Sequence, residues 1–141
     1  MMKNLNPYLT FNGNCEEAFN FYRSVFGGDF TYIGRFSEMP SEYKVSDKDK
    51  NLVMHVTLPL GEHGILMGSD TSTAFGPPVV EGNNFSISIE ADSKDEADKL
   101  YSRLAEGGKE TMPMTDTFWG SYFGMLTDQF GIQWMVSAAE K

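Results

Sequence analysis

The chain has 141 residues, 40% of them hydrophobic and 22% charged, which suits one domain with a proper core. Its 11 Phe, 6 Tyr and 2 Trp argue against intrinsic disorder, and its net charge of −9 argues against nucleic acid and anionic membrane surfaces as partners. Residues 1–7 have no apolar run typical of a secretory signal, no stretch approaches the ~18 apolar residues that span a bilayer, and the single Cys15 excludes an internal disulfide. A cytoplasmic protein is expected.

The first predicted elements are a strand over 8–11 and an amphipathic helix. Asn14 is the expected N-cap, and Glu17 three residues later completes a capping-box arrangement. Apolar residues recur at helical spacing, and glycines that accept the left-handed conformation end the helix. The apolar stripe is Cys15, Ala18, Phe19, Tyr22 and Phe26, and the glycines are Gly27 and Gly28. Three strands are predicted to follow, over 30–36, 52–58 and 65–69.

The strand over 52–58 alternates cleanly. Its period of two places Val53, His55 and Thr57 on one face, opposite an apolar face. That apolar face consists of Leu52, Met54, Val56 and Leu58. A charged loop is expected over 37–50, and 75–82, which contains Pro77 and Pro78, has the composition of a linker.

The second half repeats the order. A strand over 85–90 precedes a helix that begins at Ser93, with Glu96 three residues later and Gly107 at its end. Its apolar stripe is Ala97, Leu100, Tyr101 and Leu104, and strands are predicted over 110–114, 122–127 and 132–136. In the strand before the helix, Phe85, Ile87 and Ile89 share one face, and Asn84, Ser86, Ser88 and Glu90 share the other. Polar residues in mid-strand favour a wet cavity over a dry core.

The two halves look like copies of one unit. The helix caps are 79 residues apart, and at that offset Glu17 coincides with Glu96 and Tyr22 with Tyr101. Each helix follows one strand and precedes three. The chain is therefore divided into module one (1–74), a linker (75–82) and module two (83–141), within a single domain.

Local strings along the chain resemble those of PhnB-like proteins in the glyoxalase, or vicinal-oxygen-chelate, superfamily. The opening is Asn6-Pro7-Tyr8-Leu9-Thr10-Phe11, followed by Gly13-Asn14-Cys15 and the first helix. The middle contains Phe36-Ser37-Glu38-Met39-Pro40, His55 in mid-strand and Met67-Gly68-Ser69-Asp70. The end contains 116–120, then Phe123-Gly124, then Thr127-Asp128-Gln129-Phe130-Gly131-Ile132-Gln133-Trp134-Met135. The resemblance implies an α+β fold, in which two tandem β-α-β-β-β modules form a curved mixed sheet around a cavity.

The resemblance also implies where metal ligands would lie. Metal-using members of the superfamily carry His, Gln or Glu on the first and last strand of each module. The matching positions here are Pro7 or Tyr8, Met67 or Gly68, Asn84, and Met135. None is a good ligand for a divalent ion, so no metal and no cofactor is expected, and metal-dependent glyoxalase or dioxygenase activity is disfavoured. A methyltransferase label carried by some relatives has no support, because no Gly-rich loop follows a strand.

The candidate site residues are few. His55 is either a general acid or base, a hydrogen-bond donor to a ligand, or a half-buried histidine satisfied by a neighbour, and the last interpretation is favoured. The candidate ligand-binding residues are Asn84, Trp119, Tyr122, Met135 and Tyr8. Asp70 and Glu38 could pair with His55, although a turn cap is the simpler role for Asp70. Cys15 is expected to be a buried thiol.

Three functions follow as hypotheses. The leading one is metal-free binding of a small organic molecule in the cavity. The second is an isomerase or lyase that uses His55 for acid–base chemistry. The third is a metalloenzyme with a relocated site built from His55, Asp70 and Glu38. The resemblance further implies a homodimer.

Overall fold

The computed structural model describes residues 1–40, 42–72 and 76–139. They form two compact units, Met1–Val80 and Glu81–Lys141. Each unit contains one β-α-β-β-β module, with a four-stranded mixed sheet and one α-helix. The α+β class and the tandem modules are thereby confirmed. The predicted start of the linker, Phe75, lies outside the described residues.

Module one contains four strands, one α-helix and a short 3-10 helix. These are β1 (Tyr8–Phe11), α1 (Cys15–Phe26), β2 (Tyr32–Arg35), the 3-10 helix Phe36–Glu38, β3 (Val53–Leu60) and β4 (Gly64–Asp70). The sheet order is β1-β4-β3-β2, with β1 parallel to β4 and the other pairs antiparallel. The two outer strands of this sheet are therefore β1 and β2.

Module two has the same arrangement. Its elements are β5 (Ile87–Ala91), α2 (Lys94–Ala105), β6 (Lys109–Asp116), β7 (Ser121–Thr127) and β8 (Gln133–Ala139). The order is β5-β8-β7-β6, and β5 runs parallel to β8. In the described part of the chain, no helix is both long and apolar enough to cross a membrane.

Helix α1 packs its apolar stripe onto the sheet of module one. Its side chains from Cys15 through Tyr22 in the predicted stripe are fully buried. The last buried side chain of the helix is Val25, whereas Phe26, which was predicted to end the stripe, is only half-buried. A Cβ on Gly68 would lie 2.6 Å from the Phe19 ring, so only glycine lets the ring lie this close to β4.

The N-terminus of α1 is capped by a residue far away in sequence. Asn14 occupies the cap position, but its side chain makes no capping hydrogen bond. The buried Asp70 carboxylate at the end of β4 instead accepts the Gly13 and Cys15 N–H groups through Oδ1, each at 2.9 Å. Its Oδ2 accepts the Val53 N–H at 2.9 Å. The capping box predicted from Asn14 and Glu17 is therefore wrong, because a neighbouring strand supplies the acceptor.

A β-bulge changes the faces of β3. The register with β2 shifts between Gly34 and Arg35, which pair with His55 and Val53, so that Met54 is the extra residue. Val53 is consequently only 1% exposed and joins the core with Val56 and Leu58. The prediction that Val53 shares a face with His55 was wrong, because the bulge interrupts the period of two.

Helix α2 begins as the sequence predicts. Ser93 is the N-cap, and its hydroxyl accepts the Glu96 N–H at 3.1 Å. The helix buries Ala97, Tyr101 and Leu104 against its sheet. The strand before it starts later than predicted, at Ile87, which leaves Asn84 and the 61% exposed Phe85 outside the strand.

Candidate functional site

Each sheet has one face covered by its own helix, and we call the opposite side the distal face. In module one, alternation places Leu9 and Phe11 against α1 and Tyr8 and Thr10 on the distal face. One cross-strand row runs over this face through all four strands. Paired in order, the row consists of Tyr8, Met67, Thr57 and Tyr32. The distal face of module one is thus partly aromatic and partly polar.

His55 lies beside this row, within a cluster of aromatic and hydroxyl groups. Its Nε2 is 2.9 Å from Thr57 Oγ1, and its Nδ1 is 3.4 Å from the Tyr8 hydroxyl. The ring centroids of Tyr8 and Tyr32 lie 5.6 Å and 6.0 Å from that of His55. Both ring nitrogens therefore have hydroxyl neighbours, which agrees with the favoured interpretation of a histidine satisfied locally. Tyr8 and Tyr32 are nearly half exposed, at 47% and 46%, so the cluster is accessible in this module.

A groove of about 590 Å³ lies next to this cluster in module one. It is formed by the distal face, the segment after β2 and the segment 76–80. Its lining residues are Thr10, Phe36, Met39, Met54, Ser69, Asp70, Thr71, Ser72, Gly76, Pro77, Pro78, Val79 and Val80. Thr10 follows Tyr8 by two residues on one face of β1, about 7 Å along the strand, so the groove adjoins the His55 cluster.

The described lining of the groove carries four hydroxyls, and two of them are already engaged within the protein. Thr71 donates to the Pro77 carbonyl at 2.9 Å, and Ser72 donates to Asp49 Oδ2 at 3.0 Å. Thr10 and Ser69, which pair across β1 and β4, form no hydrogen bond through their hydroxyls within the described ranges. These two hydroxyls remain available to a bound molecule.

Sequence reasoning missed the groove residues Thr10, Ser69, Met39 and Met54. Thr10 carried a signal, because it alternates with two apolar residues in a short strand. Ser69, between Gly68 and Asp70, carried no comparable signal. Nothing in either segment shows that the two strands are parallel neighbours, which is what brings the hydroxyls together.

His55, Asp70 and Glu38 are not brought together as a site. Asp70 faces α1 and is occupied by three backbone N–H groups, whereas His55 lies on the distal face. Glu38 Oε2 accepts the Arg35 N–H at 2.8 Å, within the 3-10 helix turn. The relocated metal site is therefore not supported by the geometry.

Of the candidates in module two, Tyr122 lies on the side of the sheet covered by α2. Its hydroxyl donates to Asp98 Oδ1 at 2.6 Å, and Lys94 Nζ lies 5.1 Å from the ring centroid. The hydrogen bond to Asp98, followed by desolvation, raises the pKa of Tyr122 to about 12. Tyr122 is therefore held at the start of α2 and does not lie on the distal face.

The other candidates in module two are spread out. Met135 lies half-buried on the distal face, where it pairs with Ser88 and Met125. Trp119 lies in the loop between β6 and β7, 57% exposed, with its ring centroid 6.0 Å from that of Phe123. Asn84 is exposed and precedes β5. These residues do not form a compact cluster within this module.

The residues at the family's ligand positions do not fit a divalent ion. On the distal faces, the first and last strands pair Tyr8 with Met67 in module one and Ser88 with Met135 in module two. Ser88, and not Asn84, thus occupies the first-strand position of module two. A phenol, a hydroxyl and two thioethers lack the imidazole and carboxylate donors that such ions prefer. Across the described ranges, no three His, Cys, Asp or Glu side chains come close enough to hold a metal ion.

The single thiol is not a nucleophile in this structure. Cys15 is the first residue of α1 and is fully buried. Burial raises the pKa of its thiol far above the usual value, and the nearby Asp70 and Glu16 charges raise it further. The full burial of Cys15 agrees with the expectation of a buried thiol.

The paired β-α-β-β-β modules and their distal faces define a class of proteins. Residues 4–136 match the family described as the Glyoxalase/Bleomycin resistance protein/Dioxygenase superfamily, and the chain belongs to it. Among solved structures, protein PA1353 from Pseudomonas aeruginosa is 41% identical, with a TM-score of 0.86 and coverage of 99% of this chain and 100% of that one.

Two further relatives are a protein named PhnB and a protein named YjdN. The PhnB protein from Bacillus cereus, whose name also describes it as a 3-demethylubiquinone-9 3-methyltransferase, is 25% identical, with a TM-score of 0.77 and coverage of 97% and 100%. Protein YjdN from Escherichia coli K12 is 28% identical over 145 residues, covering 97% of this chain and 96% of its own. The PhnB-like resemblance seen in the sequence is therefore confirmed.

Proposed function

We propose that this protein binds a small organic molecule on module one, without using a divalent metal ion. The observation that carries the proposal is the groove of about 590 Å³, a volume typical of small-molecule sites. Its walls are mainly apolar, and Thr10 and Ser69 offer two hydroxyls that no described residue engages. A mainly apolar site with a few convergent polar groups is the usual composition of such a site.

The aromatic cluster beside the groove supports the same proposal. Tyr8 and Tyr32 present half-exposed rings on either side of His55. Rings of this kind bury large area against an organic ligand at a small entropic cost. A ligand longer than the groove would extend over these rings.

Binding without a metal follows from the donor set. Neither Tyr8 with Met67 nor Ser88 with Met135 supplies a ligand pair suited to a divalent ion. Affinity would then come from apolar contacts and hydrogen bonds alone. Methyl transfer is not proposed, because the sequence has no Gly-rich loop after a strand to hold a methyl-donor nucleotide.

A fragment screen with a groove-filling variant tests the proposal. Binding of organic fragments would be measured by thermal shift and by NMR titration of the labelled full chain, with and without a chelator. Met54→Trp should abolish binding by filling the groove, whereas Met54→Leu, which keeps the volume, should retain it. Chelator should change nothing. Stoichiometric stabilisation by a divalent ion alone, or undiminished binding by Met54→Trp, would contradict the proposal.

A second candidate function is acid–base catalysis by His55. The specific observation is that both ring nitrogens lie next to hydroxyls, Thr57 on one side and Tyr8 on the other, which offers a route for a proton. An isomerase or lyase reaction on a bound fragment should then stop in His55→Ala. His63→Ala, at a highly exposed site in the β3–β4 turn, is the matched control. Loss of the folded state in His55→Ala would assign the residue a structural role instead.

The homodimer implied by the family resemblance stays a prediction. Each sheet has two outer strands, β1 and β2 in one module and β5 and β6 in the other, and strand edges of this kind are where a second copy could pair. Light scattering coupled to size exclusion would report a mass of twice 15.8 kDa if the chain dimerises.

A further inference from the structure

None of the described lining residues of the groove in module one carries a cationic side chain. Seven of its lining residues are apolar, four carry hydroxyls, and Lys, Arg and His are absent from the lining described. Arg35, next in sequence to the lining residue Phe36, has its guanidinium held by Glu16 through hydrogen bonds of 3.0 Å and 2.8 Å. The hydrogen bond between them raises the pKa of Arg35 and lowers that of Glu16. The Arg35 guanidinium is therefore already paired with Glu16.

Two buried carboxyl groups lie at the groove. Asp70, 3% exposed, lines it, and Asp49, 4% exposed, is bonded to the lining residue Ser72. The chain as a whole carries a net charge of −9. An oxyanion in the groove would lose hydration and gain no cationic partner from the described lining, and both effects are unfavourable. The Asp70 carboxylate points toward the start of α1 and not into the groove, so it contributes only a nearby like charge.

The available polar groups suit an uncharged partner. Thr10 and Ser69 lie opposite each other on adjacent strands, and each hydroxyl can both donate and accept a hydrogen bond. A carbonyl, amide or hydroxyl group of a ligand can be satisfied by such a pair. Apolar walls beside them, including Met39, Met54 and Phe36, suit the rest of an organic molecule.

We infer that the ligand of this groove is an uncharged organic molecule with an apolar body and one carbonyl, amide or hydroxyl group, and that phosphonates and carboxylates are rejected. The inference rests on the proposed binding function and adds its chemical class. The groove should select a neutral compound over the corresponding anion, because no cationic side chain in the described lining would stabilise the anion.

Matched pairs of neutral compounds and their anions test this inference. Dimethyl methylphosphonate against methylphosphonate, and benzamide against benzoate, would be titrated into the labelled full chain at neutral pH. The neutral members should perturb the amide resonances of groove residues and bind at least about tenfold more tightly than the anions. Thr10→Val and Ser69→Ala should each weaken neutral binding about fivefold, and Ser102→Ala, exposed on α2, should leave it unchanged.

A gain-of-charge variant completes the test. Thr10→Lys places an ammonium in the groove, at an exposed position of the outer strand β1, and should raise the affinity for both anions about tenfold. Tighter binding of the anions by the wild-type groove would overturn the inference and leave the proposed function standing. If neither member of any pair perturbs the groove resonances, the inference and the proposed function both fall. Should Thr10→Lys not fold, the Ser69→Ala measurement still decides.

Discussion

The helices of the two modules are capped differently at their N-termini. Helix α2 takes its cap from the adjacent Ser93. Helix α1 takes it from Asp70, more than fifty residues further along the chain. The first helical residue is the fully buried Cys15 in α1 and the partly exposed Lys94 in α2. A repeated order of elements therefore does not imply repeated local chemistry.

The buried aspartates of the two modules make the same contrast. Asp70 joins three segments, since it bonds the loop before α1 and the start of β3 from the end of β4. Asp128 serves one turn, where it accepts the Phe130 and Ile132 N–H groups and the Trp134 indole. Asp70 of module one thus joins distant segments, whereas Asp128 of module two stabilises the turn between β7 and β8.

The largest expected effect is the loss of the Asp70 contacts. Asp70→Ala leaves three backbone N–H groups without their acceptor, and buried donors of this kind cost ~1–3 kcal/mol each. We expect a loss of about 4 kcal/mol in urea unfolding, with faster hydrogen exchange in α1 but not in α2. Asp92→Ala, exposed before α2, is the control and should change little. If Asp70→Ala lowered the free energy of unfolding by less than about 1 kcal/mol, the contrast drawn between Asp70 and Asp128 would be contradicted.

The next effect concerns thiol reactivity at the first helical position. Cys15 should react with a disulfide reagent at pH 8 at least about a hundredfold more slowly in the native protein than in urea, because the buried thiol has a raised pKa. Moving the thiol to the equivalent place in module two, as Lys94→Cys in a Cys15→Ala background, should restore fast reaction. Equal rates in the two proteins would show that the first turns do not differ as described.

A smaller effect compares the local caps. Ser93→Ala removes the acceptor of the Glu96 N–H and should cost about 1 kcal/mol. Asn14→Ala, at the same position of the other helix, should cost less than about 0.5 kcal/mol, because its side chain makes no capping bond. Equal costs in denaturant unfolding would mean that Asn14 does cap α1 in solution.

The smallest effect is a tyrosine ionisation at the start of α2. The pKa of Tyr122 is raised to about 12, so its contribution to stability is fully present below the ordinary tyrosine pKa of about 10 and is lost as the pH rises through 12. Ultraviolet titration should show a tyrosine ionising near pH 12 that disappears in Tyr122→Phe. Asp98→Asn should move this ionisation to lower pH, and an unchanged curve would contradict the hydrogen bond.

Parts of the fold could be read from local signals. The bounds of β1 and the cap at Ser93 depend on neighbours within a few residues, and both were predicted correctly. Val53 was assigned to the wrong face because the bulge at Met54 is imposed by pairing with β2. Phe85 was placed in a strand because the alternation of apolar and polar residues begins before Ile87, which is the first residue of β5 that pairs with β8.

The candidate site was less predictable than the fold. Tyr8 and His55 were both named from the sequence, and the structure places them within 3.4 Å. None of the predicted ligand-binding residues is among the described lining residues of the groove, and Thr10 and Ser69 were not foreseen. Sequence periodicity gives the face of a residue within its strand, but not which strands are neighbours.

The sequence alone determined the two helices, the order of strands around them, the doubled module and the family. These features depend on periodicity, caps and strings that are read within one segment at a time. The tertiary structure alone decided that Asp70 caps α1, that Met54 is bulged toward the groove and that Thr10 meets Ser69. The physical reason is that these contacts join segments far apart in sequence, whose meeting is set by strand pairing and packing.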